Sequence, residues 1–395
     1  MYTRLLNPPK NHSYFLFGPR GTGKTTFLQS EYPHAHYIDL LRADVYTTYL
    51  ANPEKLEKSI PPNFTDFIII DEIQRVPELL NEVHRLIESP AHYKFILTGS
   101  SARKLRHQGV NLLAGRAYLY YMHPLTINEL GADFNLAKSL QLGTLPACLT
   151  ADNPQGYLDS YLGSYLEQEI NQEGLTRNLS AFYRFLQVAS FSQGSPLNTS
   201  SIAREVSVQV KVVDNYFSIL IDLLIGVLLP SWTRRAKRRL VHRPKFYFVD
   251  AGLYNTARPS GYLDKQSEIG GIALETLFFS HLRAVNDYYQ LRYTFSYYQT
   301  ASGQEIDFVA YGKNGFFAFE IKLGAGFSPS WTRALTSFGK DYPEAKLYLI
   351  YTGSTTLYHN NITILPVETA LKTLTDILTS SSTTSGKTAR STDQS

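Results

Sequence analysis

Through the first third of the chain, apolar runs of four to six residues alternate with mixed stretches. YFLF (14–17), HYIDL (36–40), FIII (67–70), KFILTG (94–99) and AYLYYM (117–122) predict buried strands, while PELLNEVHRLIES (77–89) carries its apolar residues at helical spacing. Buried strands alternating with helices imply a parallel sheet covered on both faces. The alternation ends near residue 135, and the pattern over 136–265 is mainly helical. From 266 a long apolar helix, including GGIALETLFFSHLR, leads into strands rich in Tyr and Phe, which predicts a second α/β unit over 266–378. The last stretch, 379–395, is low in complexity and predicts a disordered tail. No internal repeat is present.

Two segments carry more detail. TSSIAREVSVQVKVVDNYFSILIDLLIGVLLPSW predicts a short helix, a turn near Val208, a longer helix through Ile225 and then a strand. That is the order of a winged helix. TRRAKRRLVHRPKFYFVDAGL follows as a hairpin whose tip holds Arg234, Arg235, Lys237, Arg238 and Arg239, five cations in six residues. Such a tip can lie along nucleic-acid phosphates, with Lys211 and Asn215 of the second helix facing a groove; a solvated loop is the plainer alternative. Further on, QEIDFVAYGKNGFFAFEIK (304–322) predicts a hairpin around a Gly312–Gly315 turn, placing Glu320 opposite Asp307 and Lys322 opposite Glu305. Carboxylates about 5 Å apart repel. A divalent cation between them reverses the sign, because hard oxygen ligands suit magnesium. Glu275, an acid on the apolar helix, needs a partner too. The alternative is a solvated Glu305–Lys322 pair worth at most about 1 kcal/mol.

Composition adds limits. At 395 residues and 43% hydrophobic content, the chain suggests two or three cores. A net charge of +4 is too small to argue for nucleic acid by itself. The one cysteine, Cys148, excludes an intramolecular disulfide and fits a reducing compartment. MYTRLLNPPKNHSYFLFG has no apolar run followed by a cleavage site, so no signal peptide is expected. FSILIDLLIGVLLP, interrupted by Asp222, falls short of the roughly 20 residues of a membrane span. A soluble, cytoplasmic protein with no membrane partner is the expectation.

The strongest chemical signal directly follows YFLF. In GPRGTGKTT, Gly18, Gly23, Lys24 and Thr25 fit G-x-x-x-x-G-K-[ST] between a strand and a helix start. The stretch Gly18, Pro19, Arg20, Gly21, Thr22, Gly23, Lys24, Thr25, Thr26 is therefore the expected cradle for a nucleotide. Its backbone N–H groups would surround the β-phosphate, Lys24 would reach the β and γ oxygens, and the Thr25 hydroxyl would ligate Mg2+. FIIIDEIQ adds Asp71 and Glu72 at the carboxyl end of a strand, for the magnesium shell and the attacking water respectively. Thr98, Ser100 and Ser101 end another strand, either as γ-phosphate sensors or as turn formers.

GPRGTGKTT, DEIQRVPELL, LTGSSARKL and LLAGRAYLYYMHPLTINEL together resemble a family of prokaryotic AAA-type ATPases with a carboxy-terminal domain of unknown function. The resemblance implies an AAA+ fold, ATP as ligand and ATP hydrolysis. It also directs attention to Arg103 and Arg116, which could meet a γ-phosphate in cis or from a neighbouring subunit of a homo-oligomer. RLVHRPKFYFVDAGL resembles a recurrent motif of the same family. The order of helix acid, strand Asp and Glu-x-Lys is similar to the PD-(D/E)XK nuclease-like fold, although Ile306 stands where that pattern has Pro. By that resemblance Glu275, Asp307 and Glu320 would hold metal and Lys322 would assist a water. The expected function is ATP-dependent action on DNA; a nucleotide-controlled switch that binds a DNA or protein partner without cleavage is the competing class.

Overall fold

The structure is a computed structural model that describes residues 2–101, 113, 115–173, 176, 178–233, 243–262, 264–300 and 303–380. Five strands form the first sheet: β1 (Ser13–Phe17), β2 (His36–Asp39), β3 (Phe67–Asp71), β4 (Lys94–Gly99) and β5 (Ala117–Tyr121). Their order is β2-β3-β4-β1-β5, and every neighbouring pair is parallel. Alternation within the strands feeds two cores: Phe15, Phe17, Ile68 and Ile70 lie on one side, and Tyr14, Leu16, Phe67 and Ile69 on the other. Helix Leu79–Ile87 covers the first side with Leu79, Leu80, Val83 and Leu86. Each of these side chains stabilises the fold by about 1.5–3 kcal/mol relative to exposure.

AYLYYM is less enclosed than its composition predicts. β5 is an edge strand, with Tyr118 52% and Leu119 41% exposed. An apolar run shows that a segment is extended, but its place in the sheet depends on which neighbours dock beside it.

The middle unit packs helices Leu179–Phe191, Thr199–Val206 and Val210–Asp222 around Phe182, Phe185, Tyr216 and Phe217. The turn after the second of these uses Ser207 in the left-handed region, φ 59°. The third helix stops at Asp222, earlier than Ile225, because Leu224 turns left-handed (φ 60°) and Ile225 N–H reaches back to Leu220 O at 3.0 Å. β6 (Gly226–Leu229) then pairs antiparallel with β7 (Lys245–Phe248). Helix, turn, helix and ribbon therefore occur in the expected order. The five tip cations Arg234, Arg235, Lys237, Arg238 and Arg239 lie outside the described residues, as do Arg103 and 381–395 of the predicted tail.

The third unit opens with the long helix Gln266–Tyr288. A mixed sheet follows: β8 (Thr294–Gln299), β9 (Glu305–Gly312), β10 (Gly315–Lys322), β11 (Lys346–Tyr351), β12 (Leu357–His359) and β13 (Ile362–Pro366), in the order β12-β13-β11-β10-β9-β8. The long helix packs on the face built from Phe308, Phe317, Phe319 and Ile321. Helix Arg333–Asp341 packs Leu335 and Phe338 against Val309, Ala318 and Leu349 on the opposite face.

The three units share surfaces. Ala284 and Tyr288 of the long helix belong to a core of the first sheet, and Tyr247 of β7 belongs to the core of the third unit. The segment after β6 runs along β8, where Tyr297 N–H donates to Pro230 O at 3.0 Å and Trp232 N–H donates to Tyr297 O at 2.6 Å. No helix among the described residues is long and apolar enough to cross a membrane.

Candidate nucleotide site and carboxylate cluster

β1 and β3 flank β4, so the loop after β1 and the acids after β3 meet at the carboxyl end of the first sheet. Gly21 and Gly23 have φ of 82° and 84°, a region costly for any residue with a Cβ. Gly18 is required by space, since a Cβ there would lie 2.4 Å from Met122 O. The buried Lys24 ammonium folds back on the loop, donating to Gly18 O at 2.7 Å and Pro19 O at 3.2 Å. Burial pulls its pKa below the ordinary lysine value, against Glu72 and Asp71, which raise it.

Asp71 is the focus of three hydroxyls. Thr25 Oγ1 donates to Oδ2 at 2.9 Å, Tyr37 also donates to Oδ2, and Thr98 donates to Oδ1. Glu72 sits next to it in the left-handed region at φ 60°, an uncommon conformation for a non-glycine residue and one concentrated at functional sites. Its Oε2 is held by Ser100 N–H at 3.2 Å, by Ser100 Oγ at 3.1 Å and by Gln74 Nε2. Thr98 and Ser100 thus orient the two acids, and Ser101 is buried beside them. Arg20 is exposed and lies over the Tyr165 ring, 4.5 Å from its centroid. Arg116 pairs with Glu88.

A cavity of about 550 Å3 opens over this loop, lined by residues 20–27, Glu72 and Arg4 among others. Glycines that cannot carry a Cβ, a lysine reaching only backbone oxygens, and a threonine hydroxyl already joined to an aspartate form a donor set that fits a nucleotide's phosphates with their cation. Tyr37 and Gln74 escaped the sequence argument. Tyr37 is brought to Asp71 only by the pairing of β2 with β3, whereas Gln74 stands two residues beyond Glu72 in the same DEIQ stretch and reaches back through the turn that Glu72 makes.

Residues 10–131 match the AAA domain model. The five-stranded parallel sheet and the loop after its first strand fit an AAA-type P-loop ATPase domain. Two models described as domains of unknown function, DUF8612 and DUF4143, match residues 133–264 and 270–370. No curated protein matches the chain. Among solved structures, the RuvB Holliday junction branch migration motor of Thermotoga maritima is 17% identical over 55% of this chain and 82% of its own, with a TM-score of 0.29. A DNA polymerase III gamma subunit-related protein of the same organism is 11% identical over 54% of this chain and 93% of its own, with a TM-score of 0.24. Overlaps this loose carry no structural argument.

The carboxylates of the third unit form a second cluster. β9 and β10 pair with Gly312 opposite Gly315 and stay in the expected register as far as Phe308 opposite Phe319. Beyond that the hairpin departs from the simple ladder. Against β8, residues 307 and 308 together face the single residue 297, a bulge in β9. Asp307 accepts the Ile321 N–H at 2.7 Å through Oδ2, in place of further ladder pairing. The expected Glu305–Lys322 pair does not form. Glu305 instead bonds Lys245 of β7, and Lys322 Nζ lies 2.6 Å from Glu320 Oε1 on its own strand.

Asp307 and Glu320 are each only 6% exposed. Burial and the charge of Asp307 push the Glu320 carboxyl well above its ordinary value, with Lys322 opposing. Glu275 is raised to about 8, by burial first and then by Asp307. Its Oε2 accepts the Tyr247 hydroxyl at 2.8 Å. Lys245 and Tyr247 are therefore partners contributed by the middle unit, and the sequence argument missed them. The signal was present in KFYF, because a lysine inside a buried strand needs an anion nearby.

Among the described residues no group of three or more His, Cys, Asp or Glu is placed to hold a metal ion. Glu320 Oε2 is nonetheless buried with no hydrogen-bond partner among the described residues. Glu275, Asp307 and Glu320 are thus neighbours in charge that stop short of a formed ligand set, while one orphaned oxygen fits a proton or a cation.

Proposed function

We propose that the protein is a Mg2+-dependent P-loop ATPase that acts on DNA or is regulated by it, with a winged helix in the middle unit and a nuclease-like third unit. The observation that carries the ATPase part is the 2.9 Å bond between Thr25 and Asp71 beneath a glycine loop whose lysine is held by backbone oxygens alone. In this reading the loop from Gly18 to Thr26 binds the phosphates, Lys24 turns from Gly18 and Pro19 to the β and γ oxygens, and Thr25 and Asp71 hold the Mg2+ shell. Bound Mg2+ would offset phosphate charge. Glu72, fixed by Ser100 and Gln74, orients and deprotonates the attacking water. In the third unit Asp307 and Glu320 would take the cation, Glu275 would support them and Lys322 would assist a water. Arg234, Arg235, Lys237, Arg238 and Arg239 would lie along DNA phosphates, while Lys211 and Asn215 would face a groove.

ATP turnover by the full-length protein, with and without duplex DNA, tests the assignment. Wild type should hydrolyse ATP, Lys24→Ala should not, and duplex DNA should change the rate. Turnover that survives Lys24→Ala removes the ATPase part. The unassembled ligand set favours a second reading, a nucleotide-controlled switch that binds a DNA or protein partner and cleaves nothing. Plasmid nicking that is lost in Asp307→Ala and Lys322→Ala would exclude that reading.

A further inference from the structure

The phosphate-binding loop is tethered by a residue far outside its motif. Arg4 is buried, and its guanidinium donates in four directions: Nε to Glu129 Oε1 at 2.9 Å, Nη1 to Thr22 O at 2.8 Å, and Nη2 to His123 O at 2.6 Å and to Tyr288 Oη at 2.7 Å. Glu129 is fixed in turn by Leu5 N–H at 2.9 Å and Thr126 N–H at 2.8 Å. Tyr288 Oη also accepts His123 N–H at 3.0 Å, and Asp287 lies 2.7 Å from His123 Nε2. Tyr288 and Asp287 belong to the last turn of the long helix, in the third unit.

Thr22 C=O and Gly23 N–H belong to one planar trans peptide and point in opposite directions. Holding the oxygen on Arg4 therefore aims the Gly23 N–H the other way. Thr22 itself is buried and tied to Pro19 O through its hydroxyl at 2.8 Å, but Gly23, at φ 84° with no Cβ and open space where one would stand, adds no side-chain restraint to the shared peptide. The hydrogen bond from Arg4 is the contact made to the carbonyl of that peptide, and it fixes which way the peptide faces. The adjacent positive charge also polarises the peptide, making its N–H a stronger donor to an anion.

We propose that Arg4 is a positioning residue of the nucleotide site, presenting the Gly23 N–H to phosphate, and that Tyr288 is the group through which the third unit sets it. The proposal rests on the nucleotide reading of the loop. It differs from a buried structural ion pair in predicting an effect specific to phosphate.

The test uses full-length protein and calorimetric titration with Mg·ATP, Mg·ADP and adenosine. Arg4→Gln should weaken both nucleotides about tenfold or more, the scale of one hydrogen bond to a charged group, and leave adenosine unchanged. Arg4→Lys keeps the charge but cannot serve all four acceptors, so it should recover only part of the loss. Tyr288→Phe removes one hydroxyl and should weaken the nucleotides about threefold to tenfold, again sparing adenosine. Should Arg4→Gln fail to fold, Tyr288→Phe decides alone. Equal nucleotide affinity in wild type and folded variants overturns the proposal and leaves the nucleotide reading standing, as does an equal loss for adenosine. Wild type that binds neither nucleotide overturns both.

Discussion

Replacing Glu275 by Gln should stabilise the metal-free protein, and the gain should grow with pH. In the folded chain this carboxyl is raised from 4.5 to about 8 by burial and by Asp307. Folded protein therefore holds a proton between those values that the unfolded chain has released. Stability falls as pH rises through the window, by about 1.4 kcal/mol per unit for one proton. Integrated over the shift, the ceiling is about 5 kcal/mol. The side chain keeps some solvent exposure, and screening brings the expected difference to about 2–4 kcal/mol at pH 9. The amide oxygen of the introduced glutamine would still accept the Tyr247 hydroxyl, so the substitution removes the titration and little else. Urea unfolding of both proteins in EDTA at intervals from pH 5 to 9 gives the difference in unfolding free energy directly. The difference should begin to open just above pH 4.5, widen steadily from pH 5 to 8, and level off above pH 8. A difference that stays constant across the range would refute the argument, since it would mean that Glu275 does not change protonation on folding.

Three further outcomes are expected. Lys245→Met removes the cation shared by Asp307, Glu305 and Glu275 and should cost about 3 kcal/mol, only part of it recovered when Glu305→Gln is added because Asp307 and Glu275 stay uncompensated; urea unfolding of the two single variants and the double variant measures the coupling. Ser207→Gly relieves a left-handed residue at an exposed helix end and should raise the thermal midpoint by the equivalent of about 1 kcal/mol. Thr25→Ala removes the hydroxyl bonded to Asp71 and should lower ATP turnover about 100-fold, whereas Thr25→Ser retains most of the rate in the same steady-state assay.

What the sequence disclosed depended on how local each feature is. Gly18, Gly23, Lys24 and Thr25 are close in the chain and their spacing is the geometry, so the loop is recognisable from the order of residues alone. Strand β3 and its terminal acids are equally plain, because FIII can be little else next to Asp71 and Glu72. The hairpin register follows from the turn between Gly312 and Gly315 and holds for five residue pairs. The bulge at Asp307 and Phe308 was not legible, since an extra residue is defined only against the partner strand β8. Arg4, Tyr37, Lys245 and Tyr247 were missed for a related reason. Each acts on a group more than 15 residues away, and no periodicity links a buried cation to a carbonyl or acid elsewhere in the chain. Asp307 shows the limit of pattern from the other direction. Alternation put it opposite Glu320, yet its carboxylate is used to replace a ladder bond to Ile321.

The strip from Pro230 to Trp232 lies along β8 and occupies backbone groups that would otherwise end a six-stranded ribbon in open solvent. Cutting the chain between residues 233 and 266 would leave that seam held only by non-covalent contacts. Pulling the halves apart would then bare a row of unpaired amides and carbonyls able to recruit strands from other molecules. The third unit is thus finished by its predecessor, and a piece expressed from residue 266 onward should clump where the intact polypeptide stays dispersed.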